Sequence, residues 1–267
     1  MTVARVAGAD AFYSYAVVND NVTGDGAFVA PEPTGQRADR VTLPVAVHTN
    51  VFTTELCLTN AGSTAIRLSF LSFTDKDVTL LPHEQRFIPD VLTYLGYAAS
   101  AGSLRISSNE SAAPFHASAR TFSSTPVGGT FGVAYAAILP AAAALSETWI
   151  YGLKQDGPSR SNLAFGTADP HGGPSGVQAP LSLSVDLFDG DTGVLRGTRT
   201  VPLGQSFLDW KQLNAPLSDL GIRNGYVRVR APAGNADRFF AYGVVNDGAV
   251  PGAGTGDGSY LAMTPVR

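Results

Sequence analysis

Apolar and polar residues alternate with a period of two through most of this chain, the pattern of half-buried β-strands. It is clearest in Val41–Val47, Leu56–Thr59, Ile66–Phe73, Ser103–Ser107, Leu181–Phe188 and Tyr226–Arg230. Turn-forming residues separate these runs: Asn60-Ala-Gly62, Thr74-Asp75, Asp189–Gly193 and Asn224-Gly225. Asn-Gly and Asp-Gly pairs suit the positive φ of tight hairpin turns. Helical pattern is confined to residues 88–96 and 207–214, each enough for a turn or two. In the first, Pro89 suits the first helical position and Gly96 the residue just past the end. Gly221 follows Leu217–Leu220 in the same way.

The order of these signals repeats. Glu55-Leu56 leads to Ile66–Phe73, Asp75, Gln85-Arg-Phe87, a short helical piece, Gly102–Ile106 and a motif starting at Phe115. Asn162-Leu163 leads to Leu181–Phe188, Asp189, Gln205-Ser-Phe207, a short helical piece, Gly225–Val229 and a motif starting at Phe239. Arg105 and Arg228 fall at equivalent points, and so do Phe87 and Phe207. The expected fold is therefore all-β: two tandem antiparallel β-sandwich units related by internal duplication, 40–142 and 143–267, with only short helical turns. The connection near Ala141–Ser146 is short, so the units should touch.

The closing motif reads Phe239-Phe-Ala-Tyr-Gly-Val-Val-Asn-Asp247, then Thr255-Gly-Asp-Gly-Ser-Tyr260. A second version stands near the start, as Phe12-Tyr-Ser-Tyr-Ala-Val-Val-Asn-Asp20, then Thr23-Gly-Asp-Gly-Ala-Phe28. Residues 1–35 thus read as an extra N-terminal hairpin resembling the end of a preceding unit, followed by a linker at Pro31–Gly35. A lone hairpin is marginal in water. Tyr13, Tyr15, Val17 and Phe28 need a surface to cover them: an upstream unit, the edge of unit 40–142, or another molecule.

Composition narrows the function classes. Hydrophobic residues make up 44% and charged residues 15%, the latter well below the usual fraction of about 25%. Ser, Thr, Asn, Gly and Ala must cover the surface. Net charge is −4 without a basic cluster, which argues against nucleic acid. No run reaches the roughly 18 apolar residues of a membrane helix. The single cysteine, Cys57, alternates with Leu56 and Leu58 and reads as a small side chain in a half-buried strand. His48, His83, His116 and His171 are scattered without metal-ligand spacing, and His116 reads as exposed. There is no nucleophile elbow, phosphate loop or dinucleotide fingerprint, so an enzyme is not expected.

Two groups are candidate binding sites. Asp186, Asp189 and Asp191 form an acidic turn that could hold calcium, although calcium usually needs six to eight oxygen ligands. Asp75-Lys-Asp77 stands in the matching place of the first unit. No other cofactor is expected. Trp149, Tyr151 and Trp210 are the candidate ligand-binding aromatics, able to stack on sugar rings if exposed.

In its Asn60-Ala-Gly62 turn, its Gly-Ser-Leu-Arg-Ile and Gly-Tyr-Val-Arg-Val strands and its Val-Val-Asn-Asp … Thr-Gly-Asp-Gly closings, the chain resembles tandem immunoglobulin-like or fibronectin-like β-sandwich repeats of secreted bacterial proteins. It lacks the Cys…Trp…Cys pattern of true immunoglobulin domains. The resemblance implies an extracellular or cell-surface setting and a structural or adhesive role. Partners would be other protein chains or copies of itself, with glycans as the alternative. Strand addition through residues 10–30 is the expected mode of assembly.

Overall fold

A computed structural model describes residues 3–4, 6–8, 12–30, 38–70, 73–109, 115–169, 180–204, 210–248 and 254–266. The Pro31–Gly35 linker, His171 and Phe207 lie outside them. The chain is all-β. At the N-terminus β1 (Ala16–Asn19) and β2 (Gly26–Val29) form a hairpin whose strands pair with each other alone among the described residues. The hairpin lies against β10 at the edge of the first unit, one of the expected placements, without strand pairing to it among the described residues.

The first unit contains β3 (Arg40–His48), β4 (Phe52–Asn60), β5 (Ile66–Phe70), β6 (Phe73–Leu80) and β7 (Gln85–Ile88). The α-helix α1 (Val91–Tyr94), the only one among the described residues, β8 (Ser100–Ser108), β9 (Phe115–Ser124) and β10 (Thr130–Ala136) complete it. The second contains β11 (Glu147–Lys154), β12 (Ser159–Asp169), β13 (Leu181–Asp189), β14 (Leu195–Leu203) and β15 (Trp210–Asn214). After these come β16 (Asn224–Arg230), β17 (Arg238–Asp247), β18 (Gly258–Ala262) and β19 (Thr264–Pro265).

Each unit stacks one sheet on another. In the first, β3 and β4 share one residue pair, His48 with Thr53, so the continuous path bends there. It divides into β10-β9-β4-β7 and β3-β8-β5-β6. Leu56 and Ala117 from one half meet Leu43, Leu68 and Ile106 from the other in a common core. In the second, β15-β12-β17-β18 and β14-β13-β16-β11-β19 enclose Phe165, Phe239, Ile150, Leu183 and Val227.

The registers match strand by strand. Leu56 faces Ala119 as Leu163 faces Gly243, Leu43 faces Leu104 as Ile150 faces Val227, and Ile66 faces Leu80 as Leu181 faces Leu203. The irregularity between Leu43 and Ala46 recurs between Ile150 and Leu153. A one-residue slip would turn every buried side chain outward, so these registers are fixed by burial. Both units also end a short helical turn alike. Tyr97 N–H bonds Leu92 O (2.8 Å) and Ile222 N–H bonds Leu217 O (3.2 Å), around Gly96 (φ 90°) and Gly221 (φ 63°). Only glycine takes such φ values without strain.

Several local expectations are corrected. Asp90, not Pro89, marks the helix start; its carboxylate accepts the Thr93 N–H (3.1 Å). Residues 210–214 are strand β15 rather than helix. Register gives Phe87 the place of Gln212, since Cys57 faces Phe87 and Ala164 faces Gln212; Phe207 is not its equivalent. Thr74-Asp75 lies within β6, which already pairs with β5 at Phe73 opposite Phe70. Ser69 pairs with Asp77 where Ser184 pairs with Thr200, so the second hairpin is longer and its acidic tip has no counterpart at Asp75–Asp77.

The core passes from one unit to the other between Ala143 and Ala144. The central strands of sheet β15-β12-β17-β18, β12 and β17, are buried on both faces over residues 163–168 and 239–242. Leu163, Phe165, Phe239 and Ala241 face the second core, whereas the alternating Ala164, Phe240 and Tyr242 join the first. Polar contacts fix the junction. Thr42 donates its hydroxyl to Ala168 O (2.9 Å), and the buried Arg105 donates to Thr167 O (3.0 Å) and its Oγ1 (2.9 Å). Among the described residues no helix is long and apolar enough to cross a membrane.

Candidate functional site

The hairpin's turn bonds the N-terminal segment to the first unit, and β2 lies against β10 with Ala27 buried. Asp20 accepts the N–H (2.9 Å) and hydroxyl (2.8 Å) of Thr130, and Thr23 donates its hydroxyl to Thr130 O (2.8 Å). The N–H groups of Thr23 and Val22, then Thr130, hold the Asp20 carboxyl well below the usual range. The buried Asp25 accepts from Arg120 (2.7 Å) and Gly132 N–H (3.0 Å). The aromatic face of the hairpin is exposed, with Tyr13 at 71%, Tyr15 at 61% and Phe28 at 50%. Its rings stack on one another: Tyr15 lies 5.6 Å from Phe28 and Tyr13 lies 6.2 Å from Tyr15. Val17 is exposed too and pairs with Phe28 across the hairpin.

The second unit's closing turn reaches the same place. Asp257 hydrogen-bonds Asp25, so the two Thr-Gly-Asp-Gly copies meet carboxyl to carboxyl. Burial, then the Asp25 charge, raises the Asp257 pKa. A folded-state pKa above the unfolded one means that protonation favours the fold. This contact is strongest below the ordinary carboxylate pKa and is lost as pH rises through the raised value. Asp257→Asn should therefore raise Tm at pH 7 by about 1–3 °C and have little effect below about pH 4. Thermal melts across pH check this, and an unchanged or lower Tm at pH 7 would reject it.

The second unit carries an aromatic platform on its outer sheet face. Trp149 and Tyr151 alternate with the buried Ile150 on β11, and their rings stack at 6.1 Å with 4° between planes. Cross-strand neighbours extend the surface: Tyr226 on β16 lies 5.9 Å from Tyr151, and Phe188 on β13 lies 5.0 Å from Tyr226. The Arg228 guanidinium sits over Trp149 (5.6 Å) and Phe188 (5.8 Å). Tyr151 is 52% exposed. A shallow groove of about 290 Å³ opens beside it, lined by Tyr226, Lys154, Asp191 and Asn224. Trp210 does not belong to this surface. Its indole N–H donates to the Tyr242 hydroxyl (3.1 Å) and its ring packs on the first unit's core.

The acidic residues of the β13–β14 hairpin serve separate ends. Asp186 is buried and takes Arg228 (2.8 Å), Arg230 (2.9 Å) and the Thr198 hydroxyl (2.8 Å). Asp189 caps the turn through the N–H groups of Asp191 (3.0 Å) and Thr192 (3.2 Å). Asp191 accepts from Asn224 (3.3 Å). The three do not converge, and among the described residues no three His, Cys, Asp or Glu side chains gather as metal ligands. Cys57 is half-buried, and burial pushes its thiol pKa up, away from nucleophile character. His116 is half-buried rather than exposed, and burial lowers its pKa.

Sequence reasoning found Trp149 and Tyr151 because two residues on one strand face share a period. It missed Phe188 and Arg228, which join them through strand pairing and carry no local signal. Comparison with protein-family models, curated proteins and solved structures finds no match.

Proposed function

We propose that this chain is a non-catalytic structural or adhesive β-sandwich module of the extracellular space or cell surface, and that it assembles through residues 10–30. The observation that carries this reading is the hairpin: held against β10 through its turn and β2, it leaves an aromatic stack exposed and, among the described residues, an edge of β1 unpaired. Unpaired strands are templates for another chain, and exposed apolar patches mark interaction surfaces. The low charge and Ser/Thr/Asn/Gly-rich composition support the setting. In sedimentation velocity at rising concentration, the intact chain should sediment faster than a chain lacking residues 1–31. Equal sedimentation, together with an equal Tm, would overturn the reading.

A second reading is a carbohydrate-binding module. The Trp149–Tyr151 stack beside a groove with an amide, a carboxylate and an ammonium group favours it, because sugars bind by ring stacking plus a few polar contacts. A glycan array showing hits that Tyr151→Ala removes would support it, and an array without hits would dismiss it.

A further inference from the structure

We infer that two copies of this chain pair β1 with β1, edge to edge and antiparallel, in a closed two-fold dimer; this rests on the assembly role of residues 10–30 proposed above and names the partner. The fold holds the same motif with and without its second neighbour. β9 lies between β10 and β4, and β17 lies between β18 and β12. β1 pairs with β2 and with no other strand among the described residues. Strand pairing sets Val17 opposite Phe28 and Asn19 opposite Gly26, as it sets Val244 opposite Tyr260 and Asn246 opposite Gly258. β1 therefore stands in the place of β17, and its open edge is the one that β12 occupies in the second unit.

The open edge is a row of backbone groups without a strand partner. Asp20 turns its N–H to Asp25 O (2.8 Å), as Asp247 turns its N–H to Asp257 O (3.1 Å). Alternation along a strand then points the N–H groups of Val17 and Asn19 away from β2. Strand length agrees with a missing neighbour. β9 and β17 are 10 residues long each, and β1 is 4. Residues 12–15 match residues 239–242, which are strand in the copy with both neighbours. A strand on the open edge should extend β1 to them. The side chains are already set as in the paired copy: Tyr15 and Phe28 lie 5.6 Å apart with 27° between planes, and Tyr242 and Tyr260 lie 5.4 Å apart with 29°.

The other sheet edges identify the partner. Proteins protect exposed edges with charge, proline or cover. Lys76 stands in β6, Arg86 in β7, Arg196 and Pro202 in β14, Lys211 in β15 and Pro265 in β19. At the edge of β10 the N–H groups of Thr130 and Gly132 donate to Asp20 and Asp25, and both β2 and β18 lie against that strand. β1 reads Ala16-Val-Val-Asn19, with neither charge nor proline. Edge pairing needs two open edges, and in a second copy the unprotected one among the described residues is again β1. A two-fold axis through the sheet makes the two β1 strands antiparallel and brings no like charges together within them. It also sets both aromatic ladders on one face of the joined sheet β2-β1-β1-β2. Two identical edges satisfy each other, so the assembly closes at the dimer.

Val17→Pro in the full-length chain tests this. Proline removes the outward N–H and leaves the bonds to β2 in place, an exchange that edge strands tolerate. Circular dichroism melts first establish that the variant is folded. By analytical ultracentrifugation the intact chain should pass from monomer to dimer with concentration and stop there. Val17→Pro should associate at least tenfold more weakly. Amide hydrogen exchange of the intact chain gives a second reading, which decides alone if the variant is unfolded: the Val17 and Asn19 N–H groups should slow at least tenfold as dimer forms. A folded Val17→Pro chain that dimerises like the intact one, or Val17 and Asn19 amides that stay fast in the dimer, overturns edge pairing and leaves the hairpin's assembly role to its aromatic face. Growth beyond the dimer overturns the closed two-fold. Absence of association in the intact chain, or equal association without residues 1–31, removes both ideas.

Discussion

Arg105→Ala should lower the unfolding free energy by about 3–5 kcal/mol, the range for removing one member of a buried polar contact and leaving a cavity. Arg105 is 2% exposed and is the bulkiest of the fully buried side chains. Its guanidinium reaches from β8 across the junction to the carbonyl and hydroxyl of Thr167. Truncation leaves that carbonyl without this donor in a site closed to water, and the methylene stem leaves a void at the contact between the two cores. Arg105→Lys retains the charge but not the planar fork, so most of the loss should persist. Arg105→Met fills the volume without a charge and should be milder, because well-packed apolar replacement of buried ions is often tolerated. The residue ties two separately built cores, so the change should appear in calorimetry as two transitions in place of one. A loss below about 1 kcal/mol in urea titration would show that the junction does not depend on it.

Strands whose two faces differ in polarity were legible from period two alone: β3, β5, β8, β13 and β16 all lie where the alternation places them, even though the outer faces of β3 and β8 are buried through Thr42, Ser103 and Arg105. The pattern fails where both faces of a strand carry apolar residues. Trp210 and Leu213 are three residues apart, which reads as one side of a helix. In the fold Trp210 packs on the first unit's core and Leu213 on the second's, from opposite faces of β15. Phe239 to Tyr242 was recognised as a repeated motif, but its unbroken apolar run reflects a sheet held between two cores. The motif's meaning therefore lay in packing between units, which spacing does not report. The acidic turn misled for a similar reason: the partners of Asp186 are Arg228 and Arg230 on a neighbouring strand, far along the chain. The hairpin residues Tyr13, Tyr15, Val17 and Phe28 were legible because their copy at the other end shows what such residues do when covered.

Asp186→Ala should be the second large loss, again about 3–5 kcal/mol at neutral pH, because it strands two guanidiniums beside each other. The carboxylate is 1% exposed. One oxygen receives Arg228 through Nε (3.0 Å) and Nη2 (2.8 Å) together with Arg230 (2.9 Å), and the other receives Thr198 (2.8 Å). Asp186→Asn keeps the shape and an acceptor, so it should cost less, about 1.5–3 kcal/mol, the range for losing hydrogen bonds to a charged group. Burial pushes the Asp186 pKa up, but the bonds from Thr198 and Arg228 and the charge of Arg230 outweigh it and leave the value lowered. A folded-state pKa below the unfolded one gives stability that is present above the unfolded value, about pH 4, and lost as pH falls through the folded value. Denaturant titrations below pH 4 should show that loss in the intact chain and a flatter dependence in Asp186→Asn. The same carboxylate holds Arg228 over Trp149 and Phe188, so Asp186→Ala should also weaken the near-ultraviolet circular dichroism of the platform. Unchanged stability at pH 7, within about 0.5 kcal/mol, would mean that the two arginines find other partners and that the platform is held by ring stacking alone.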